Sequence, residues 1–172
     1  MEYTFILKYQ LTGDDGDSQV LVERLGEAGC DDALVGSGQP GRLALEFTRE
    51  ADSADAAVRS ALADVCCAVP SARLIEVAPD LVGLSDVAEI VGVSRQNLRK
   101  LMLAHPGSFP APVHEGSTSI WHLADVLTWL QTRGYSLADE VLAVAQAALQ
   151  VNVAKEWRRL PNLASGELAD LV

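Results

Sequence analysis

The chain has 172 residues, of which 49% are apolar and 22% charged, the balance of a folded chain with room for one or two cores. A net charge of −11 argues against indiscriminate attachment to nucleic acid. No apolar run approaches the roughly 20 residues of a membrane-spanning helix. The opening MEYTFILKYQ has neither a basic n-region nor a small-residue cleavage site, so no secretory signal is expected and the location is read as cytoplasmic. Cys30, Cys66 and Cys67 form an odd set without metal-type spacing. They read as reduced thiols, with Cys66 and Cys67 packing a helix.

In Tyr3–Leu11 the alternation of Tyr3, Phe5, Leu7, Tyr9 and Leu11 predicts a strand with one buried face. Thr12–Asp17 is a polar turn. Ser18–Ala28 is a short helix with Val20, Leu21, Leu25 and Ala28 inward, ending at Gly29. Ala33–Val35 and Arg42–Thr48 read as strands around a loop. That loop, Gly36 to Gly41, matches G-x-G-x-x-G literally, but a strand follows it where a dinucleotide site needs a helix, so it reads as a hairpin turn. Asp52 or Ser53 caps a helix with Ala57, Val58, Ala61, Leu62 and Val65 on one face, halting near Pro70. Arg73–Val77 is a last strand. The order βαββαβ resembles a ferredoxin-like module, an α+β arrangement that hosts too many activities to indicate one. Residues 1–80 are taken as one domain, residues 81–134 as a second, and residues 135–172 as a C-terminal helix and tail.

Leu84–Leu101, LSDVAEIVGVSRQNLRKL, is the most informative stretch. Ser85 is a candidate cap and Asp86 an anion for the first turn of a helix carrying Val87, Ala88, Ile90 and Val91. Gly92 suits a left-handed stop. Ser94 caps a second helix, with Val93 and Leu98 placed as a hydrophobic staple. Leu98 and Leu101 face inward, and Arg95, Gln96, Arg99 and Lys100 face out. A small residue at the crossing, a turn glycine four positions later and a capped basic helix make a helix-turn-helix. His105-Pro106-Gly107 ends it. Val113–Trp121 is expected to form a hairpin turning at Glu115–Thr118, with Trp121 and Trp129 buried. Leu123–Thr132 is a further helix ended by Gly134. The longest helix is expected from a Ser136 cap to about Trp157. Its face of Leu137, Val141, Val144, Ala148 and Leu149 is assigned to a homodimer, ahead of packing on the rest of the chain. A tail follows Pro161.

The matching residues Ser85-Asp86-Val87-Ala88-Glu89, Gly92-Val93-Ser94, Leu98-Arg99-Lys100, Phe109-Pro110-Ala111-Pro112 and Trp121–Val126 with Trp129 resemble the winged helix-turn-helix of the MerR superfamily, especially its AlpA and excisionase-like branch. The resemblance covers Leu84–Leu130, about a quarter of the chain. It implies that Ser94–Lys100 enters the major groove of double-stranded DNA, that the hairpin is a wing on the flanking backbone, and that a following helix dimerises the protein. Family wings commonly carry arginines beside the aromatic residue. Here Ile120 precedes Trp121 and Glu115 sits in the turn, leaving His114, Ser117 and Thr118 as phosphate donors.

Charge is unevenly placed. Residues 1–80 carry 6 Lys/Arg against 15 Asp/Glu, residues 81–134 carry 4 of each, and Gly92–His114 has three basic residues and no acidic one. Charges beyond about 8–10 Å are largely screened, so this local face can meet phosphate. The expected DNA-contacting set is Ser94, Arg95, Gln96, Asn97, Arg99, Lys100, His114, Ser117 and Thr118. Arginine pairs with guanine and glutamine with adenine, at about 1–3 kcal/mol of discrimination each. His105, His114 and His122 share no helix face, and no nucleophile elbow or paired-carboxylate site is apparent. Neither a metal, a cofactor nor an enzymatic activity is expected. The rival reading gives the acidic domain a basic protein partner, as in an antitoxin that represses its own operon.

Overall fold

A computed structural model describes residues 1–12, 18–36 and 38–160. The polar turn beyond Thr12, Ser37 of the glycine loop and the tail from Pro161 lie outside the described residues. Over the described residues the fold is mixed α+β, with six helices, an antiparallel four-stranded sheet and a two-stranded sheet. The alternating apolar residues of β1 (Glu2–Gln10) pair antiparallel with β3 (Arg42–Glu50) along their whole length. Short β2 (Ala33–Gly36) flanks β3, and β4 (Arg73–Ala78) flanks β1, for a sheet order of β2-β3-β1-β4. Tyr3, Phe5, Leu7, Tyr9, Leu43, Leu45 and Phe47 point to one side, where α1 (Ser18–Glu27) and α2 (Ala54–Ala68) cover them. Phe5 and Phe47 stack across the central pair with centroids 5.3 Å apart. Ser53 caps α2 by accepting from the Ala56 N–H at 3.1 Å.

Two expectations for this half are corrected. Val20 is exposed, because the apolar stripe of α1 is narrow and Leu21 and Leu25 alone reach the core. Cys66 and Cys67 are exposed rather than packed, since the buried face of α2 passes through Val65 and Ala68 instead. Cys30 is buried, and desolvation followed by the nearby Asp64 carboxylate pushes its thiol up to about 11. The thiolate is the reactive form. At pH 8 a maleimide should therefore label two cysteines at once and the third only on unfolding, counted by intact mass. Rapid labelling of all three would contradict this burial.

Beneath α2 lies a buried arginine. The Arg49 guanidinium donates to both oxygens of Asp32 (2.7 and 2.9 Å), to Asp64 (2.7 Å), to Ser60 (3.0 Å) and to the Gly29 carbonyl (2.7 Å). It also lies 4.9 Å from the Phe47 ring centroid. Its hydrogen bonds hold the Asp32 carboxyl below the usual carboxylate range, and the two carboxylates raise the arginine in turn.

The second half is built on β5 (Leu81–Val82), paired antiparallel with β6 (Trp121–His122). Around this ribbon stand α3 (Leu84–Val91), α4 (Arg95–Ala104) and α5 (Leu123–Thr132), whose buried residues form a separate apolar cluster. Phe109 meets Trp121 and Trp129 edge-on at 6.1 and 5.1 Å, and the Trp121 indole donates to the Pro110 carbonyl at 3.0 Å. The extended proline segment thus closes this core.

The long helix α6 (Asp139–Arg158) corrects the sequence reading in two respects. It begins at Asp139, not at a Ser136 cap: Ala138 is the extended boundary residue, and Asp139 and Glu140 supply negative charge to the first turn. More important, its apolar face is used within the chain. Val144, Ala147 and Ala148 join the core of the four-stranded sheet, while Ala145 is buried in the second cluster, with Leu137, Val141 and Leu149 packed against it. The five residues assigned to a dimer, Leu137, Val141, Val144, Ala148 and Leu149, therefore do not form a free face. Nor do residues 135–158 stand apart, since α6 belongs to both cores.

Polar contacts fasten the same seam. Asn152, buried on α6, accepts from the Val77 N–H (2.9 Å) and donates to the Val77 carbonyl (2.8 Å), pairing with the outer edge of β4 as a neighbouring strand would. The Lys155 ammonium donates to the Ile75 carbonyl on that edge. Asn152 also donates to Asp80 at 2.8 Å, and Asp80, only 1% exposed, accepts His122 Nδ1 at 2.7 Å. The Asp80 carbonyl accepts the Leu123 N–H at 2.7 Å. One carboxylate thus joins the junction, the start of α5 and α6.

Candidate nucleic-acid interface

The α3–α4 pair owes its geometry to local chemistry. The N-cap of α3 is Gly83, whose N–H donates to the Asp86 carboxylate at 2.8 Å; Ser85, expected as the cap, is the second residue of the helix. Gly92 adopts φ 76°, a left-handed conformation that costs a side-chain-bearing residue energy, and the Val93 N–H reaches back to the Ala88 carbonyl at 2.9 Å. Ser94 then caps α4, accepting the Asn97 N–H at 3.1 Å. Val87, Ala88 and Leu98 are buried between the helices, with Val91, Val93 and Leu101 packed around them. Ile90 is exposed.

This packing aims one polar face of α4 outward. Ser94, Arg95, Gln96, Asn97, Arg99 and Lys100 are all exposed. Among the described residues, the side chains of Arg95, Gln96, Asn97, Arg99 and Lys100 have no intramolecular hydrogen bond or ion pair. Arg95 occupies the first turn, which contains no acidic residue. A cation there opposes the helix dipole by some tenths of a kcal/mol, roughly 0.3–1. Such a local cost is typical of positions selected for function.

The expected hairpin is present in reduced form. A single bridge joins His114 to Ile120, with the Val113 N–H on the Ile120 carbonyl at 2.7 Å and the Ile120 N–H on the His114 carbonyl at 2.9 Å. His114, Ser117 and Thr118 are exposed on it. The His114 ring lies over Gly116, where a Cβ would come within 2.6 Å of Nε2. The hairpin and α4 thus present two groups of the expected residues, with the arginines and the lysine all on α4.

One cation of this half was overlooked in the sequence. Arg133, just past α5, lies 4.6 Å from the Trp129 ring centroid and donates to Ser108 Oγ at 3.1 Å; its Nη1 is 3.2 Å from His105 Nε2. No motif spacing links it to α4; only the folded chain brings position 133 beside position 105. Among the described residues no group of three or more His, Cys, Asp or Glu could hold a metal ion, and no helix is long and apolar enough to cross a membrane.

No protein-family model, curated protein or solved structure matches the chain.

Proposed function

We propose that the protein is a sequence-specific DNA-binding transcriptional regulator. In this reading α3 and α4 form the helix-turn-helix of a winged domain, residues 113–121 its abbreviated wing, and residues 1–80 a ferredoxin-like companion module. The observation that carries it is the outward face of α4: two arginines, a glutamine, an asparagine and a lysine held exposed and unpaired on a capped helix. Arg95, Gln96 and Arg99 read base edges, while Lys100 and the N–H groups after Ser94 hold phosphate. The acidic remainder of the chain suppresses non-specific attachment, and with few cations per subunit the salt dependence is shallow.

A homodimer would set two α4 helices on an inverted repeat about one turn apart or more. Since the inward face of α6 is occupied, a second copy would meet its outward side, where Val153 and Trp157 are exposed, Trp157 by 62%.

The test is a selection of duplex targets from random DNA, followed by anisotropy titration of Arg95→Ala/Arg99→Ala. Binding should fall at least about thirtyfold, at roughly 1–3 kcal/mol per lost base contact, with an unchanged melting temperature because neither side chain packs. Binding retained at the wild-type level would sink the assignment.

A further inference from the structure

Arg49, Arg59 and Arg159 each contact a carboxylate, which neutralises them locally. Arg133 contacts none among the described residues; it rests on the Trp129 ring and on Ser108 and His105. A guanidinium offers five N–H donors and no acceptor, so more donors are present than these contacts use. None of the partners named is an anion. The cation keeps its full charge, its orientation is fixed by stacking, and donors remain for an outside acceptor.

Its position gives that acceptor a chemical class. His105 ends α4, so Arg133 stands at the opposite end of that helix from Ser94. The ten residues of α4 span about 15 Å, comparable with the roughly 12 Å width of the DNA major groove. A helix seated in the groove has a sugar-phosphate strand near each end. The geometry points to Arg133 as a second phosphate anchor, holding the strand opposite the one met by the start of α4. It compensates for a hairpin that presents no arginine. This inference rests on the DNA-binding reading above.

The experiment measures binding of the selected duplex from 50 to 300 mM salt for wild type, Arg133→Gln and Arg133→Lys, with melting temperatures alongside. The glutamine variant should flatten the plot of log affinity against log salt by about 0.9 per subunit and weaken matched and scrambled duplexes equally. The lysine variant should keep the wild-type slope. A glutamine variant with an unchanged slope would overturn the proposal, even if it melted earlier, since it would make Arg133 only a structural cover for Trp129. A wild-type protein that bound no duplex would overturn both this inference and its parent, whereas a failure confined to the slope would leave the parent standing.

Discussion

Replacing Arg49 with methionine should lower the melting temperature by about 5–10 °C. The substitution leaves Asp32 and Asp64 facing each other beneath α2 and removes the donors for Ser60 and Gly29. Breaking a buried ion pair from one side costs about 3–5 kcal/mol. Here both carboxylates keep some water, with 30% of each side chain exposed, so about 2–3 kcal/mol is expected, at 2–4 °C per kcal/mol for a chain of this size. The pH dependence has a definite sign. Asp32 titrates lower in the folded protein than in the unfolded chain, where aspartate sits near 3.9. Its contribution is complete above about pH 4 and is lost as pH falls through the lower folded value. The gap between wild type and the methionine variant should therefore narrow on acidification, measured by urea unfolding at pH 7 and pH 3. A gap of constant size would mean that the arginine acts through packing alone.

Asp80→Ala should be as damaging, and its damage should appear at the seam. It strips the acceptor from His122 Nδ1 and from the Asn152 amide. A buried polar group left unsatisfied costs about 1–3 kcal/mol, so the pair comes to about 3 kcal/mol. Because α6 belongs to both cores, the wild type should melt in one calorimetric transition. The variant should broaden or split it, with faster amide exchange in α6 and at Trp121–His122 than in β1 and β3. Asp80→Asn should fall between, since an amide can accept one donor while its own N–H₂ faces the other. A single unshifted transition in Asp80→Ala would show that apolar packing alone joins the halves.

Legibility in the sequence followed the range of the interaction. The α4 surface could be read because a cap, a turn glycine and a helical period act within a few residues, and Ser94, Gly92 and Leu98 occupy the places their chemistry demands. Strand alternation located β1 and β3 for the same reason. The fate of α6 could not be read. A broad apolar helix face states that something must cover it, not whether the cover comes from its own chain, and the contacts that decide this span 75 residues from Val77 to Asn152. No local pattern marks Asp80, and its buried role emerges only when positions 122 and 152 converge on it. The mistaken caps, Ser85 and Ser136, have a narrower cause: helix ends are weakly encoded, and the helices start at Leu84 after Gly83 and at Asp139 after Ala138, a few residues from the serines.

The polar fastening of β4 has a consequence for how this protein can meet other chains. An edge strand is a template for strand addition, and a sheet ordinarily offers two. Here the Asn152 amide and the Lys155 ammonium occupy the ladder positions along β4, leaving β2, among the described residues, as the edge of this sheet still open. That strand is four residues long, and Leu34, 74% exposed, is its one large apolar side chain turned to solvent. Growth of the sheet by a foreign or misfolded strand is thus confined to one side and to a short run. The helix that unites the two cores also serves as the guard rail of the sheet.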